Sequence, residues 1–108
     1  MDQVLRTDLL RLAAALESAA EHRMAARVRD ALELDKPGCD AFLVSNELWG
    51  GAGSIADQAG LGSGRGSNRL DIENALISLG RRQLSIGKAN LRTDMWVSTF
   101  ESWAAHGI

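Results

Sequence analysis

The residues whose spacing holds the most chemistry are Gly50-Gly51-Ala52-Gly53-Ser54. Successive glycine amides running into a helix start can point several N–H dipoles at one anion, which is how many phosphate sites work. The run lacks the lysine of a P-loop, and no strand pattern precedes it as a dinucleotide fingerprint requires. The competing reading is a tight corner, where two helices pack closely and the backbone needs positive φ or the space a Cβ would fill. A second constellation follows directly. Ile55-Ala56-Asp57-Gln58-Ala59-Gly60-Leu61 has the small residue, glycine turn and following apolar residue of a helix-turn-helix, which would bring Ser67, Asn68 and Arg69 to the bases. Against it, Gly62, Gly64 and Gly66 would fall across the recognition helix, each costing about 1 kcal/mol relative to alanine. Residues 65–92 do hold six basic side chains against two acidic ones. Such an excess can meet phosphates, but on helices it is more often a solvated face.

Catalytic sets are harder to assemble. His22 falls on the polar side of a helix and His106 two residues from the end, neither with a nucleophile and an orienting carboxylate at hand. Cys39 follows Pro37-Gly38 near a helix start, where the dipole could lower its pKa; no histidine is placed with it, and a small semi-buried thiol is the plainer reading. Asp71 and Glu73 are two apart and point to different sides of a helix, so they make no carboxylate pair. One cysteine and two histidines build neither a disulfide framework nor a four-ligand zinc site. Trp96, Phe100 and Trp103 recur at helical spacing. They could be an interface hot spot, but in a chain with two Phe and no Tyr they are more readily core. Trp49, beside the double glycine, either anchors the corner in the core or stands at a surface groove.

Helices must position all of these. Leu (15) and Ala (16) far outnumber Val, Ile and Thr (12 together), and β-branched residues lose rotamer freedom in helices. Leu5, Leu9, Leu12 and Leu16 form one amphipathic stripe, and Ala20, Met24, Val28 and Leu32 form another. Ser18-Ala19-Ala20-Glu21 has capping-box spacing, which favours two helices, with a single rod from about 3 to 34 as the alternative. Asp35-Lys36-Pro37-Gly38 reads as a stop and restart. A third helix over 41–49 should end in a left-handed cap at Gly50-Gly51, and Ser54 should cap a short fourth helix closed by Gly60. After a loop at about 60–67, a longer helix from Leu70 must absorb Gly80 and end at Gly87. The last begins near Asn90 or Thr93 and stops at His106-Gly107. The expected fold is therefore all-α, one domain over residues 1–108. It is a single compact bundle of five to six helices with a glycine-rich central corner and loop.

The whole chain is 108 residues with a net charge of −2, so it has no general attraction to phosphate or acidic membranes. The charge is unevenly spread: residues 1–54 carry 6 bases against 9 acids, and 55–108 carry 6 against 5. No uncharged apolar run approaches the ~18 residues of a membrane span. Arg6, Asp8 and Arg11 interrupt the first leucines, so no secretory core can be drawn there. A cytoplasmic protein is expected.

The run from Phe42-Leu43-Val44 through Leu48-Trp49-Gly50-Gly51-Ala52-Gly53-Ser54 to Asp57 resembles the central signature of a small, uncharacterised family of bacterial helical proteins. Its members carry a helix ending in an aromatic, then Gly-Gly-x-Gly-Ser and an acidic residue. The Glu21-x-x-Met24-Ala25 stretch fits the same outline, whereas Gln58 and the 60–67 loop depart from it. The resemblance implies a helical fold over nearly the whole chain and no assigned activity. Small acidic proteins of this sort are similar in style to immunity proteins that neutralise toxins. The expected function is a non-enzymatic protein-binding module, of immunity or accessory type, contacting a protein partner through Trp49, Gly51, Ser54, Arg65 and Arg69. No cofactor or metal is expected, no membrane contact, and a homodimer is left open. The alternative is a helix-turn-helix DNA-binding regulator using Ser67, Asn68 and Arg69.

Overall fold

In a computed structural model of the chain, which describes residues 3–60 and 67–107, the first leucine stripe becomes α1 (Gln3–Ser18), with Leu5, Leu9, Leu12 and Leu16 buried. A separate α2 (His22–Leu32) follows and buries Ala25, Val28, Ala31 and Leu32. The continuous rod is thus replaced by two helices, but not by the expected capping box. Ser18 is the last residue of α1, and Glu21 takes the N-cap of α2 without a side-chain cap bond. The break is a Schellman closure on Ala20, exposed and left-handed at φ 62 rather than part of the second apolar face. There the Glu21 amide donates to Leu16 O at 2.8 Å and the Ala20 amide to Glu17 O at 3.0 Å. A Cβ in this region is strained by roughly 1–2 kcal/mol. Ala20→Gly is therefore expected to stabilise the fold by about 1 kcal/mol, seen as a higher urea midpoint with an unchanged slope.

Asp35 caps α3 (Lys36–Leu43) by accepting the Gly38 amide at 2.9 Å, with Pro37 in the first turn, as the stop-and-restart spacing predicts. The helix expected over 41–49 is in fact two. Ser45 divides it: its hydroxyl donates to Phe42 O at 2.7 Å and accepts from the Leu48 amide at 3.2 Å. One side chain closes α3 and opens α4 (Asn46–Trp49), a single turn. Ser54 then precedes α5 (Ile55–Gly60). Residues 61–66, which hold most of the expected loop, lie outside the described residues.

Next comes the central helix, α6 (Ser67–Ser85). It packs on α1 along one side and on α7 (Thr93–His106) along another, while α2 lies on α1. Ile72, Ala75, Leu76 and Leu79 of α6 join Leu9, Leu12 and Leu16 of α1, Trp49 and Phe100 in one core. The helix absorbs Gly80 as expected and ends in a second Schellman closure. Gly87 has φ 72, and the Lys88 amide reaches Gln83 O at 2.9 Å. Gly107, φ 69, closes α7. The described residues thus form six helices and one single turn, with no strand, in a compact all-α bundle of radius of gyration 12.5 Å. Among them, no helix is long and apolar enough to cross a membrane.

Candidate functional site

Two short helices in succession leave many carbonyls without intrahelical partners, and in this chain side chains from distant elements meet them. Gln83, fully buried on α6, donates to Leu43 O at 2.7 Å and to Lys88 O at 2.9 Å, and accepts from Trp49 Nε1 at 2.9 Å. Asn90 donates to Val44 O at 2.8 Å and to Asn46 Oδ1 at 3.1 Å. Gly50 O accepts from Trp96 Nε1 at 3.2 Å and from the Ser54 hydroxyl at 3.0 Å. A polar brace thereby fastens the α3–α4 corner to α6, α7 and the turn between them.

The glycine run belongs to this brace. Gly50 is extended, at φ −73 and ψ −156, and not the left-handed cap expected of it; it is glycine because a Cβ would run into the Asn46 backbone. Positive φ falls instead on Gly53, at 88°. The Gly53 amide, which an anion nest would need, is taken by Asp57 Oδ2 at 3.0 Å, while the Asp57 amide binds Ser54 Oγ at 3.0 Å. The chain's own carboxylate fills the place and would repel a second anion. The geometry is that of the corner.

These contacts dismantle the expected partner surface. Trp49 and Ser54 are buried, so neither side chain can meet a partner. Gly51 is half-buried beneath the Arg92 guanidinium, and Arg65 lies outside the described residues. Arg69 is held within the fold, its Nε 3.0 Å from the buried Glu73 and its guanidinium 5.2 Å from the centre of the Trp103 ring. That pairing also removes Arg69 from the expected DNA contact. Ser67 and Asn68 open α6, but their side chains are outside the described residues. The basic excess of 65–92 is reduced further by an Arg81–Glu101 ion pair. In the aromatic stripe, Phe100 is core, with Trp96 stacked on it at 5.6 Å and Trp103 edge-on at 5.8 Å. Both tryptophans remain half-exposed at the rim.

Several titratable residues are engaged structurally. Exposed His22 and Arg29 share Glu17, at 2.5 and 2.8 Å, and the Arg29 and His22 hydrogen bonds hold that carboxyl below its usual range. Asp8 is buried on α1, where Oδ1 accepts from the Ser78 hydroxyl at 2.9 Å. Cys39 is buried, and burial pushes its thiol pKa up, the reverse of the dipole expectation. Native Cys39 should accordingly react with iodoacetamide far more slowly than the unfolded chain at neutral pH. The same shift has a stability sign. The unfolded thiol ionises first, so its contribution is complete at neutral pH and is lost as pH rises through the folded pKa.

A concave apolar surface lies beside the brace, and no residue of the glycine run lines it. Pro37, Ala41, Leu43 and Val44 form one wall of a groove of about 440 Å³, and Gly87 and Ala89 form the other. Asp40 lines the first wall and Lys88 the second. Gln83 and Asn90 set the separation of the walls, since Leu43, Val44 and Lys88 offer them their carbonyls. Exposed Val44 lines the groove, and Ile86 and Leu91, also exposed, stand one and two residues from its second wall. The sequence held one signal for this surface: Leu91 stands alone between Asn90 and Arg92, outside every apolar stripe. A second depression, between α1 and α6, is about 270 Å³ and lined by Arg11, Ser18, Asp71 and Asn74 with two alanines.

No family model, curated protein or solved structure matches the chain, so the resemblance in the glycine signature rests on those residues alone.

Proposed function

We propose that the chain is a non-enzymatic, cytoplasmic protein-binding module of accessory or immunity type, and that its contact face is the groove between α3 and the α6–α7 turn. One observation carries this reading. Exposed Val44 lines the apolar groove, and exposed Ile86 and Leu91 stand one and two residues from its second wall; exposed apolar side chains at a concave apolar surface on a small domain mark interaction sites. The brace supports the same reading, because a groove whose walls are fixed by hydrogen bonds from Gln83 and Asn90 is preorganised and loses little freedom on binding. Catalysis is not invoked. The buried acids Asp8 and Glu73 each bond through one oxygen within the fold, to Ser78 and Arg69, and the other oxygen of each is buried without a hydrogen-bond partner.

The test is a Val44→Lys, Leu91→Lys variant. Both positions are exposed, so the variant should unfold at the wild-type denaturant concentration and yet lose the protein contacts of wild type in affinity capture. Capture of the same partners by the folded variant overturns the assignment of the face. Salt-dependent retardation of long duplex DNA by the wild type replaces the reading with the DNA-binding alternative.

A further inference from the structure

We propose that the α1–α2 break is a domain-swapping hinge: when Ala20 leaves its left-handed conformation, α1 and α2 join into one continuous helix and α1 docks into a second copy of this chain. Three features of the break point to this. Ala20 is an alanine at φ 62, where a glycine would be unstrained, and it is exposed, so no packing of its side chain holds it there. Residues 18–21 read Ser-Ala-Ala-Glu, and residues 1–36 hold no Gly and no Pro, so the hinge has no helix breaker and two of the best helix formers. The first amides of α2, those of His22, Arg23 and Met24, have no intrahelical acceptor, and Glu21 supplies no side-chain cap. In a continuous helix they meet the carbonyls of Ser18, Ala19 and Ala20. Short hinges under strain are the ones that favour exchange of an element between copies.

What opening exposes fixes the occupant. α1 is joined to α2–α7 only through residues 19–21 and packs on α2 and α6, burying Leu5, Leu9, Leu12 and Leu16. Opening carries these leucines away from both helices. At 3.6 residues per turn the buried faces of α1 and α2 then lie roughly 150° apart on the rod, so one chain cannot cover both. A second copy offers the same vacated surface of α2 and α6, and two antiparallel rods related by a two-fold axis near Ala20 fill it for each other. The packing of α1 re-forms between copies, including the contacts that Asp8 makes with Ser78 at 2.9 Å and Glu17 with Arg29 at 2.8 Å in the hairpin. The groove beside α3 takes no part in the exchange.

Refolding the full chain from urea at millimolar concentration tests this. The expected product is a dimer, separable from the monomer by size exclusion, that persists on dilution because α1 must leave a core to return. Ala20→Gly should lower the equilibrium constant for dimerisation at least about thirtyfold, since glycine relieves the closed hinge and weakens the open helix, at two hinges per dimer. A Glu17→Cys, Arg29→Cys variant treated with a short bis-maleimide reads the exchange itself, because both positions are exposed and Cys39 is buried. The isolated dimer should yield, after denaturation, a species of twice the chain's 11.6 kDa, whereas the monomer links within itself. Monomer alone after such refolding overturns the proposal. So does a dimer linked only within each chain, or one whose stability is indifferent to Ala20→Gly.

Discussion

Replacing Gln83 by leucine is expected to destabilise the domain by about 3–5 kcal/mol, even though leucine suits a fully buried helical position. The amide of Gln83 satisfies three groups at once: the Leu43 and Lys88 carbonyls through its donors and the Trp49 indole N–H through its acceptor. Leucine would strand all three, and a buried polar group left without a partner costs roughly 1–3 kcal/mol. Leu43 and Trp49 are buried and water cannot substitute there, while the half-buried bond to Lys88 O costs less. A domain of this size holds only about 5–15 kcal/mol in total, so the variant should be close to unfolding at 37 °C. Urea denaturation followed by tryptophan emission reads the change directly. A loss below about 1 kcal/mol would mean that the brace is not a principal support of the corner. Gln83→Glu is expected to fare no better, because it keeps the acceptor for Trp49 but turns a carboxylate toward two carbonyl oxygens.

Gly80→Ala should also destabilise the protein, by up to about 2 kcal/mol net. Helix propensity alone predicts a gain of about 1 kcal/mol, so the sign of the change is diagnostic. A Cβ at position 80 would overlap Val97 Cγ2 and stand 3.1 Å from the outer edge of the Trp49 ring and 3.3 Å from Thr93 Cγ2. None of these can yield cheaply. Val97 and Thr93 are β-branched and buried on α7, and Trp49 is fixed by its bond to Gln83. Overpacking of this kind typically costs 1–3 kcal/mol. Gly80→Ala combined with Val97→Ala should be less destabilised than the sum of the two single changes, since the second substitution opens the space that the first fills. A stabilising Gly80→Ala would show instead that α6 and α7 are not in close approach at this point.

The helices were legible because each leaves a local signature. The leucines of α1, the Asp35-Lys36-Pro37 start of α3, the Ser54 cap of α5 and the left-handed glycines after α6 and α7 all act within a few residues of where they stand. What sequence reasoning missed acts over long separations or against propensity. Ala20 gives no sign that it will take the conformation of a glycine, because the closure is driven by the packing of α2 on α1. Ser45 looks like an ordinary interior residue until its hydroxyl is seen bridging two helices. The expected contact residues proved structural for a related reason. Trp49 looks like surface chemistry in isolation, yet its partner Gln83 is 34 residues away; Ser54 and Arg69 have partners only four residues off, at Gly50 and Glu73, but the burial of Ser54 and Glu73 comes from tertiary packing. Once those bonds form, the residues are structural. The groove has no motif because backbone carbonyls, small side chains and one misplaced leucine make it, and only the folding of α3 against the α6–α7 turn brings them together.

The central claim is that the chain meets its partner at the groove and not at the glycine corner. Ala52 is exposed within the glycine corner and Leu91 is exposed two residues from the groove wall at Ala89, so a photo-crosslinking residue at position 52 or at position 91 compares the two directly in the cell. The expected result is a discrete protein adduct from position 91, either two copies of the chain or the chain with one other protein, and none from position 52. A discrete adduct from position 52 with none from position 91 would contradict it.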